Sequence, residues 1–389
     1  MKVKAYETFR CDAGWRTFSF LKMTTDDGIV GWSEYNESFG SPGLSGVIDA
    51  LMPNVIGMDP MDIELVNAVL ATRSTQSRGG IVRQAIAAIE NALLDIKGKA
   101  LGVPVYRLFG GKLRERIPVY WSHCGSYRMR NAELVGAPQV STYDDMTKVG
   151  AEVKAKGFSA LKTNIAIEID GQIQAYRPGF VVGRGFPERN WDEFIARSAA
   201  RTVEAFRKGC GPDVGVMLDL NFHFRTEGFR RIAEAVAPYR LTWLELDAHD
   251  PRSIALIRRD APCPIASGET LLERRDFRPY LDAYAFDTAI VDVIWNGFYE
   301  SLKIAAMAEV YEVNVAPHNF YGHLASAISA HFCAAVPNFR IMEIDIDSVR
   351  WRDEFFMTSP TIDKGDYILP TGPGWGCEPN EAAIRARKA

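Results

Sequence analysis

The 389-residue chain is poor in the features that mark several large protein classes. It has only six cysteines (Cys11, Cys124, Cys210, Cys263, Cys333 and Cys377), and none stands in a C-x-x-C spacing. That scatter offers neither a disulfide framework nor a thiolate zinc site, and it is the usage expected of a reduced, cytoplasmic chain. No apolar run approaches the ~18 residues of a membrane span. The opening stretch MKVKAYETFRCDAGW lacks the apolar core of a signal peptide. The net charge is only −4, so there is no electrostatic case for nucleic acid or an anionic membrane surface as partner. What the chain does have is 47% hydrophobic residues, ample for a large core, and a length that suits two domains or one barrel with an attached cap.

The first hundred residues read as one block. FSFLKMTTDDGIVGWSEY alternates around a DDG turn and predicts a hairpin. VRQAIAAIENALLDIKGKALG has apolar residues at helical spacing and glycines at its end, and predicts a long helix. After the double glycine and charge run of PVYRLFGGKLRERIPVY the pattern changes, which sets a domain boundary near residue 115. Eight short apolar stretches follow: IPVYWSHC, SALKTNI, VGVMLDLNF, LTWLELD, CPIASGE, AIVDVIW, VNVAPH and RIMEID. Helical patterns separate the later ones. Near-continuous apolar strands alternating with helices argue for a parallel sheet buried on both faces, and eight of them suggest a closed (β/α)8 barrel. An open doubly wound sheet is the alternative, but no Gly-rich phosphate fingerprint follows any strand. The fold class expected is therefore α/β, with a capping domain over 1–115 and a barrel over 116–350. A segment over 351–389, rich in proline and glycine, is expected to return to the cap. Residues 166–190 are too long for an ordinary strand–helix loop and are expected to lie over the active face.

Each barrel strand carries polar chemistry near its C-terminal end, the face where this architecture does catalysis. Strand two offers Lys162 and Asn164, strand three Asp219 and Asn221, strand four Glu245 and strand five Glu269. Strand six offers Asp292, strand seven His318 and strand eight Glu343. A single carboxylate at a strand end usually meets solvent or caps the next helix. Seven successive strands aiming polar groups at one rim are a different matter. Asp219, Glu245 and Glu269 together cannot all stay ionised without a cation, and oxygen-only ligands suit Mg2+, with Mn2+ possible. His223 and His249 lie close in sequence to two of these ligands, so a mixed site stays open at this point.

The series resembles the enolase superfamily, in its mandelate racemase-like (mandelate racemase/muconate lactonizing enzyme) branch. The first block resembles that family's α+β capping domain. LDLN, WLEL and SGE match its three metal-ligand strands, DV at 292 and PH at 317 match its Asp-His dyad, and Glu343 matches its substrate-binding acid on strand eight. The resemblance implies one Mg2+ per active site held by Asp219, Glu245 and Glu269. It also implies His318 as an acid/base oriented by Asp292, Lys162 beside the substrate carboxylate, and a homo-oligomer. If Glu343 donates a hydrogen bond to that carboxylate, its pKa must be raised.

Two departures bear on the reaction. Strand two usually reads Lys-x-Lys, whereas KTN puts Asn164, which cannot take a proton, in the place of a second base. Strand four usually carries Glu-x-Pro, whereas ELD puts Asp247 there, either behind the ligands or against substrate hydroxyls. One-base chemistry is favoured. The expected activity is a lyase (a hydro-lyase of carbohydrate catabolism) that dehydrates a sugar acid to a 2-keto-3-deoxy acid. An epimerase or cycloisomerase on such an acid or its lactone is the alternative, and a non-catalytic binding barrel is the third reading. Asn164, Asn221, Glu343 and Asp247 are candidate substrate contacts. So are Trp15 and Arg16, which lie where the family's cap sends a specificity loop over the mouth. Tyr176, Arg177 and Arg184 of the insertion, His123 with Tyr127, Arg128 and Arg130 behind it, and Trp295, Asn296 and Asn319 complete the set. His323 and His331 are expected to pack or cap.

Overall fold

A computed structural model describes all residues 1–389. The chain opens with three antiparallel strands, β1 (Val3–Asp12), β2 (Thr17–Thr25) and β3 (Val30–Tyr35), joined β2 to β3 by the expected tight turn. Helices α1 (Leu44–Leu51), α2 (Ile63–Arg73) and α3 (Gly80–Leu101) complete this layer. The long α3 lies directly on β3. A methyl at Gly31 would stand 2.4 Å from the Ala92 carbonyl, so only glycine permits that contact.

The barrel begins with β4 (Arg116–Trp121), followed by α4 (Ser126–Val135), α5 (Tyr143–Ala155) and β5 (Ala160–Asn164). A small hairpin, β6 (Ala166–Ile169) with β7 (Gln172–Ala175), starts the insertion. Then come α6 (Glu193–Cys210), β8 (Gly215–Asp219), α7 (Thr226–Val236), β9 (Trp243–Glu245), α8 (Pro251–Asp260) and β10 (Ile265–Ser267). The circuit ends with α9 (Glu273–Asp282), β11 (Thr288–Val291), α10 (Val293–Asn296), α11 (Phe298–Val310), β12 (Asn314–Pro317), α12 (His323–Ala335) and β13 (Met342–Ile344). Strands β12, β11, β10, β9, β8, β5 and β4 pair in parallel in that order, and β13 returns to β4. The ring closes between β12 and β13 through Val315, which bonds Asn338 and Arg340 on either side of its bridge to Phe339. The eight expected strands are thus the eight observed. AIVDVIW stops before Asp292, which accepts the backbone N–H of Trp295 at 2.8 Å and starts α10, leaving Thr288–Val291 as strand.

The barrel interior explains where the rim residues come from. Eight buried side chains fill it, one per strand: Tyr120, Ala160, Met217, Trp243, Ala266, Ile290, Ala316 and Ile341. Side chains two residues apart on a strand share a face. One step towards the C-terminal ends, the same inward positions are therefore Ser122, Lys162, Asp219, Glu245, Gly268, Asp292, His318 and Glu343. An apolar plug carries a polar crown, and Gly268 is the one crown position without a side chain.

After β13 the chain leaves the barrel. The β14 (Ile362–Asp363) and β15 (Asp366–Ile368) hairpin adds β15 antiparallel to β4, and α13 (Glu381–Ala386) lies near β1. Trp375, fully buried, donates its indole N–H to Asn91 and its backbone N–H to Asp95 of α3, so the tail is fastened to the cap. The cap in turn fastens the barrel. Helix α12 has no side-chain cap of its own, and Glu34 of β3 accepts the N–H groups of Gly322 at 2.6 Å and Ala325 at 3.0 Å instead. No helix is long and apolar enough to cross a membrane.

Candidate active site

The polar crown floors a cavity of about 590 Å³. At its base, one carboxylate oxygen each from Asp219, Glu245 and Glu269 lie within 4.8 Å of one another. The first two follow from strand register, since Asp219 sits opposite Glu245 on the neighbouring strand. Glu269 arrives differently. Gly268 takes φ +108°, a conformation that L side chains rarely adopt, and this bend aims the next residue inward. Asp247 fixes the bend by accepting from the Gly268 N–H and the Ser267 hydroxyl, both at 2.9 Å. Asp247 does not line the cavity, which corrects its placement as a substrate contact; its carboxylate is spent on the loop that carries Glu269.

Charge in this layer is unbalanced. Lys162 places its ammonium 2.6 Å from Glu245, 3.0 Å from Glu343 and 3.8 Å from Asp219. Burial alone would lower the Lys162 pKa, but these carboxylates hold it well above the usual range, so it is an ammonium and not a base. Burial, reinforced by Asp219 and Glu343, pushes Glu245 up to about 7 despite Lys162. Glu269 is driven well above the ordinary carboxylate range, first by burial and then by Asp247, Asp219 and Glu245, while His318 opposes this. Three convergent hard-oxygen donors short of positive charge fit a divalent cation of the Mg2+ type. Neither histidine near them joins the set. His223 is wedged among the Tyr176, Phe180 and Phe222 rings, and burial pushes it down to about 3; His249 is exposed.

His318 and Asp292 meet as expected: Nδ1 lies 2.7 Å from Asp292 Oδ2 and Nε2 lies 3.6 Å from Glu269. Asp292 is fully buried and also accepts from the Tyr321 hydroxyl and from Trp295 N. Burial works against a charged imidazole, but Glu269 and Asp292 outweigh it and raise His318 to about 10.

Glu343 departs from expectation. It accepts from the Ser122 hydroxyl, from Asn319 N at 2.8 Å and from Lys162. Burial would raise its pKa, but Lys162, His318 and His123 overcome that and hold it below the ordinary range. It is a carboxylate here, and the raised pKa expected of a hydrogen-bond donor is not found. Asn221 lines the cavity too, and its backbone and side-chain N–H groups bond Asp219 at 2.8 and 3.1 Å. Asn164 lines the cavity, held by Ser126 and the Asp219 carbonyl.

Trp15 and Arg16 both reach the cavity from the cap. Arg16 is buried and pairs with Asp345 at 3.1 Å, with further bonds to the Tyr127 hydroxyl and the Phe320 carbonyl, which makes it a clasp between cap and barrel. Of the insertion, Tyr176 and Arg177 line the cavity, while Arg184 turns away to Asp192. Asn296 is structural, bonding Glu273 and Leu271. His323 pairs with Asp353, and His331 joins Tyr106 N to the Trp375 carbonyl, packing roles as expected. Sequence reasoning missed Tyr321 and Ser122; the alternation that found the crown would have found Ser122, two residues beyond Tyr120.

Comparison with known proteins agrees with this geometry. The family model described as mandelate racemase / muconate lactonizing enzyme, N-terminal domain, matches residues 9–110, and that described as enolase C-terminal domain-like matches residues 145–383. A D-galactonate dehydratase of Pectobacterium atrosepticum is 30% identical over 399 residues, covering 100% of this chain and 94% of the relative. A Burkholderia xenovorans structure, named as a candidate L-alanine-DL-glutamate epimerase bound to magnesium and fumarate, is 48% identical with a TM-score of 0.97, covering 100% and 96% of the two chains. A candidate dehydratase from Mesorhizobium loti is 28% identical with a TM-score of 0.86, covering 100% and 99%.

Proposed function

The chain belongs to the mandelate racemase/muconate lactonizing enzyme family of the enolase superfamily, and on that premise we propose that it is a Mg2+-dependent sugar-acid dehydratase. The observation that carries this reading is one acid/base dyad, His318 with Asp292, facing a cavity whose other walls hold no equivalent base at the second strand. Asn164 stands there and has no proton to take up, and Lys162 is a fully committed ammonium. The D-galactonate dehydratase relatives and the magnesium-bound structure support the same reaction and ion.

Asp219, Glu245 and Glu269 would hold the ion, which when bound would supply positive charge to stabilise the second negative charge that forms on the substrate carboxylate. Lys162 adds its charge beside that carboxylate. His318 takes the α-proton with Nε2, its ring fixed by Asp292, which Tyr321 also bonds, and then returns a proton to the β-hydroxyl, which leaves as water. The C–H and C–O bonds break, a C=C bond forms, and the enol tautomerises to the 2-keto-3-deoxy acid. Incubating the protein with Mg2+ and a panel of aldonic and aldaric acids tests this by keto-acid formation. His318→Asn must abolish it. α-Deuterium exchange giving a diastereomer without keto acid refutes it.

That last outcome belongs to the second reading, an epimerase. One feature of the site favours it: His123 on the cavity wall places Nδ1 2.8 Å from Asp345, a second imidazole backed by a carboxylate.

A further inference from the structure

Four cationic side chains line the cavity: Arg16, Arg130, Lys162 and Arg177. Two are spoken for, since Arg16 pairs with Asp345 and Lys162 with Glu245 and Glu343. Even Arg128, beside Arg130 in α4, is closed off by Asp347 and Glu152. Arg130 and Arg177 have no carboxylate within 4.0 Å and make no hydrogen bond to the protein. The only carboxylates lining the cavity are Asp219, Glu269 and Glu343, all on its floor, and none pairs with either arginine.

The two arginines come from different segments, Arg130 from helix α4 and Arg177 from the insertion. Arg130 follows the first barrel strand and stands 6.0 Å from the Tyr127 ring, and Arg177 belongs to the insertion and stands 5.3 Å from the Phe180 ring. Arg130 is open to water through the mouth, yet burial of its guanidinium and the nearby charge of Arg177 push it down to about 10. Burial likewise lowers Arg177. Like charges brought together with no counter-ion cost free energy unless something anionic joins them, and a guanidinium fork matches carboxylate or phosphate oxygens.

We propose that Arg130 and Arg177 form an anion site in the substrate cavity, apart from the metal carboxylates, and that the substrate carries a second terminal anion, a carboxylate or a phosphate, at the end away from the reacting carbon. This rests on the sugar-acid reading and narrows it to aldaric or phosphorylated aldonic acids, at the expense of the plain aldonic acids.

The test measures binding to the full-length, Mg2+-loaded chain carrying His318→Asn, so that turnover does not deplete the ligand. Probes are hexaric acids, 6-phosphohexonic acids and hexonic acids of matched stereochemistry. The best doubly anionic probe should bind at least about tenfold tighter than its hexonate, a difference of about 1.4 kcal/mol. Its affinity should also fall more steeply with added salt. Arg130→Gln and Arg177→Gln should each reduce that advantage, and the double variant should erase it. Neither side chain bonds the protein, so thermal melts should stay close to that of the parent. Whether the hexarate or the phosphohexonate wins identifies the terminal group. A hexonate that binds as tightly as both, or an advantage that survives the double variant, overturns the proposal. Keto-acid formation by the unmodified chain is read separately: its absence sinks dehydration but leaves the binding preference to judge the anion site.

Discussion

An imidazole held at about 10 would be protonated at neutral pH and unable to abstract a proton, so the proposed reaction requires something that relieves that shift. The largest influence raising it is Glu269, whose oxygen lies 3.6 Å from His318 Nε2. At an effective dielectric constant of about 20, opposite unit charges at that separation interact by about 4–5 kcal/mol, or roughly three pK units. A divalent ion on Asp219, Glu245 and Glu269 cancels the Glu269 charge. His318 should then titrate near 7, where a general base works best. The assay is NMR titration of histidine ring carbons with and without Mg2+. The chain has only six histidines, and His318→Asn assigns the signal by subtraction. The metal-free midpoint should lie close to 10 and fall by two to three units on loading. By linkage, apparent Mg2+ affinity should climb up to about tenfold per pH unit across that interval. A His318 midpoint that Mg2+ leaves unmoved, or one already near 6.5 without it, refutes the reasoning.

Three further outcomes follow from individual contacts. Gly268→Ala forces a side chain onto φ +108° with its Cβ 3.1 Å from the Phe277 ring, a strain of about 1–3 kcal/mol. The bend that aims Glu269 should relax, and Mg2+ affinity measured by calorimetry should weaken at least about tenfold; unchanged affinity contradicts the role given to the glycine. Tyr321→Phe removes one of two side-chain hydrogen bonds to Asp292 Oδ2, so kcat should fall about tenfold with KM nearly constant, and a change confined to KM contradicts a positioning role. His331 is buried and pushed down to about 3, so the folded chain keeps it neutral while the unfolded chain protonates it near 6.5. Its contribution is whole above pH 6.5 and is lost on acidification at about 1.4 kcal/mol per pH unit. Unfolding free energies from urea titrations at pH 7.5 and 5.0 should therefore differ by about 2 kcal/mol less in His331→Gln than in the parent, and parallel behaviour rules the histidine out.

Much of this site was readable from alternation. Once Ala160, Met217, Ile290 and Ala316 are taken as inward, Lys162, Asp219, Asp292 and His318 must be inward too, because a strand returns to the same face every second residue. Where the strand ends, the rule loses force. Glu269 is out of phase, and only a glycine bend held by Asp247 brings it in. Asp247 looked like a substrate contact because it is polar and just past a strand end. The Gly268 N–H and the Ser267 hydroxyl claimed it first, which pattern does not encode. Glu343 failed for a related reason: its protonation depends on the distance to Lys162, and a sequence holds no distances. Arg130 sits in α4 and Arg177 in the insertion, so nothing in either stretch announces that they line one cavity.

The two kinds of wall answer to different constraints. Crown residues are spaced by the barrel itself and locked to one another: Lys162 touches Glu245 and Glu343, Glu343 takes Asn319 N, and Asp292 takes His318 and Tyr321. Changing one leaves a buried charge unpaired, at a cost of about 3–5 kcal/mol, so the chemistry resists piecemeal alteration. The upper wall is built from the cap loop at Trp15 and Arg16, the α4 turn and the insertion around Tyr176 and Arg177. Most of those side chains lean on aromatic rings rather than on the crown, so on the proposed reading their substitution should alter which acid fits and leave the His318–Asp292 pair in place. A barrel divided this way can keep one α-proton reaction while its substrate changes.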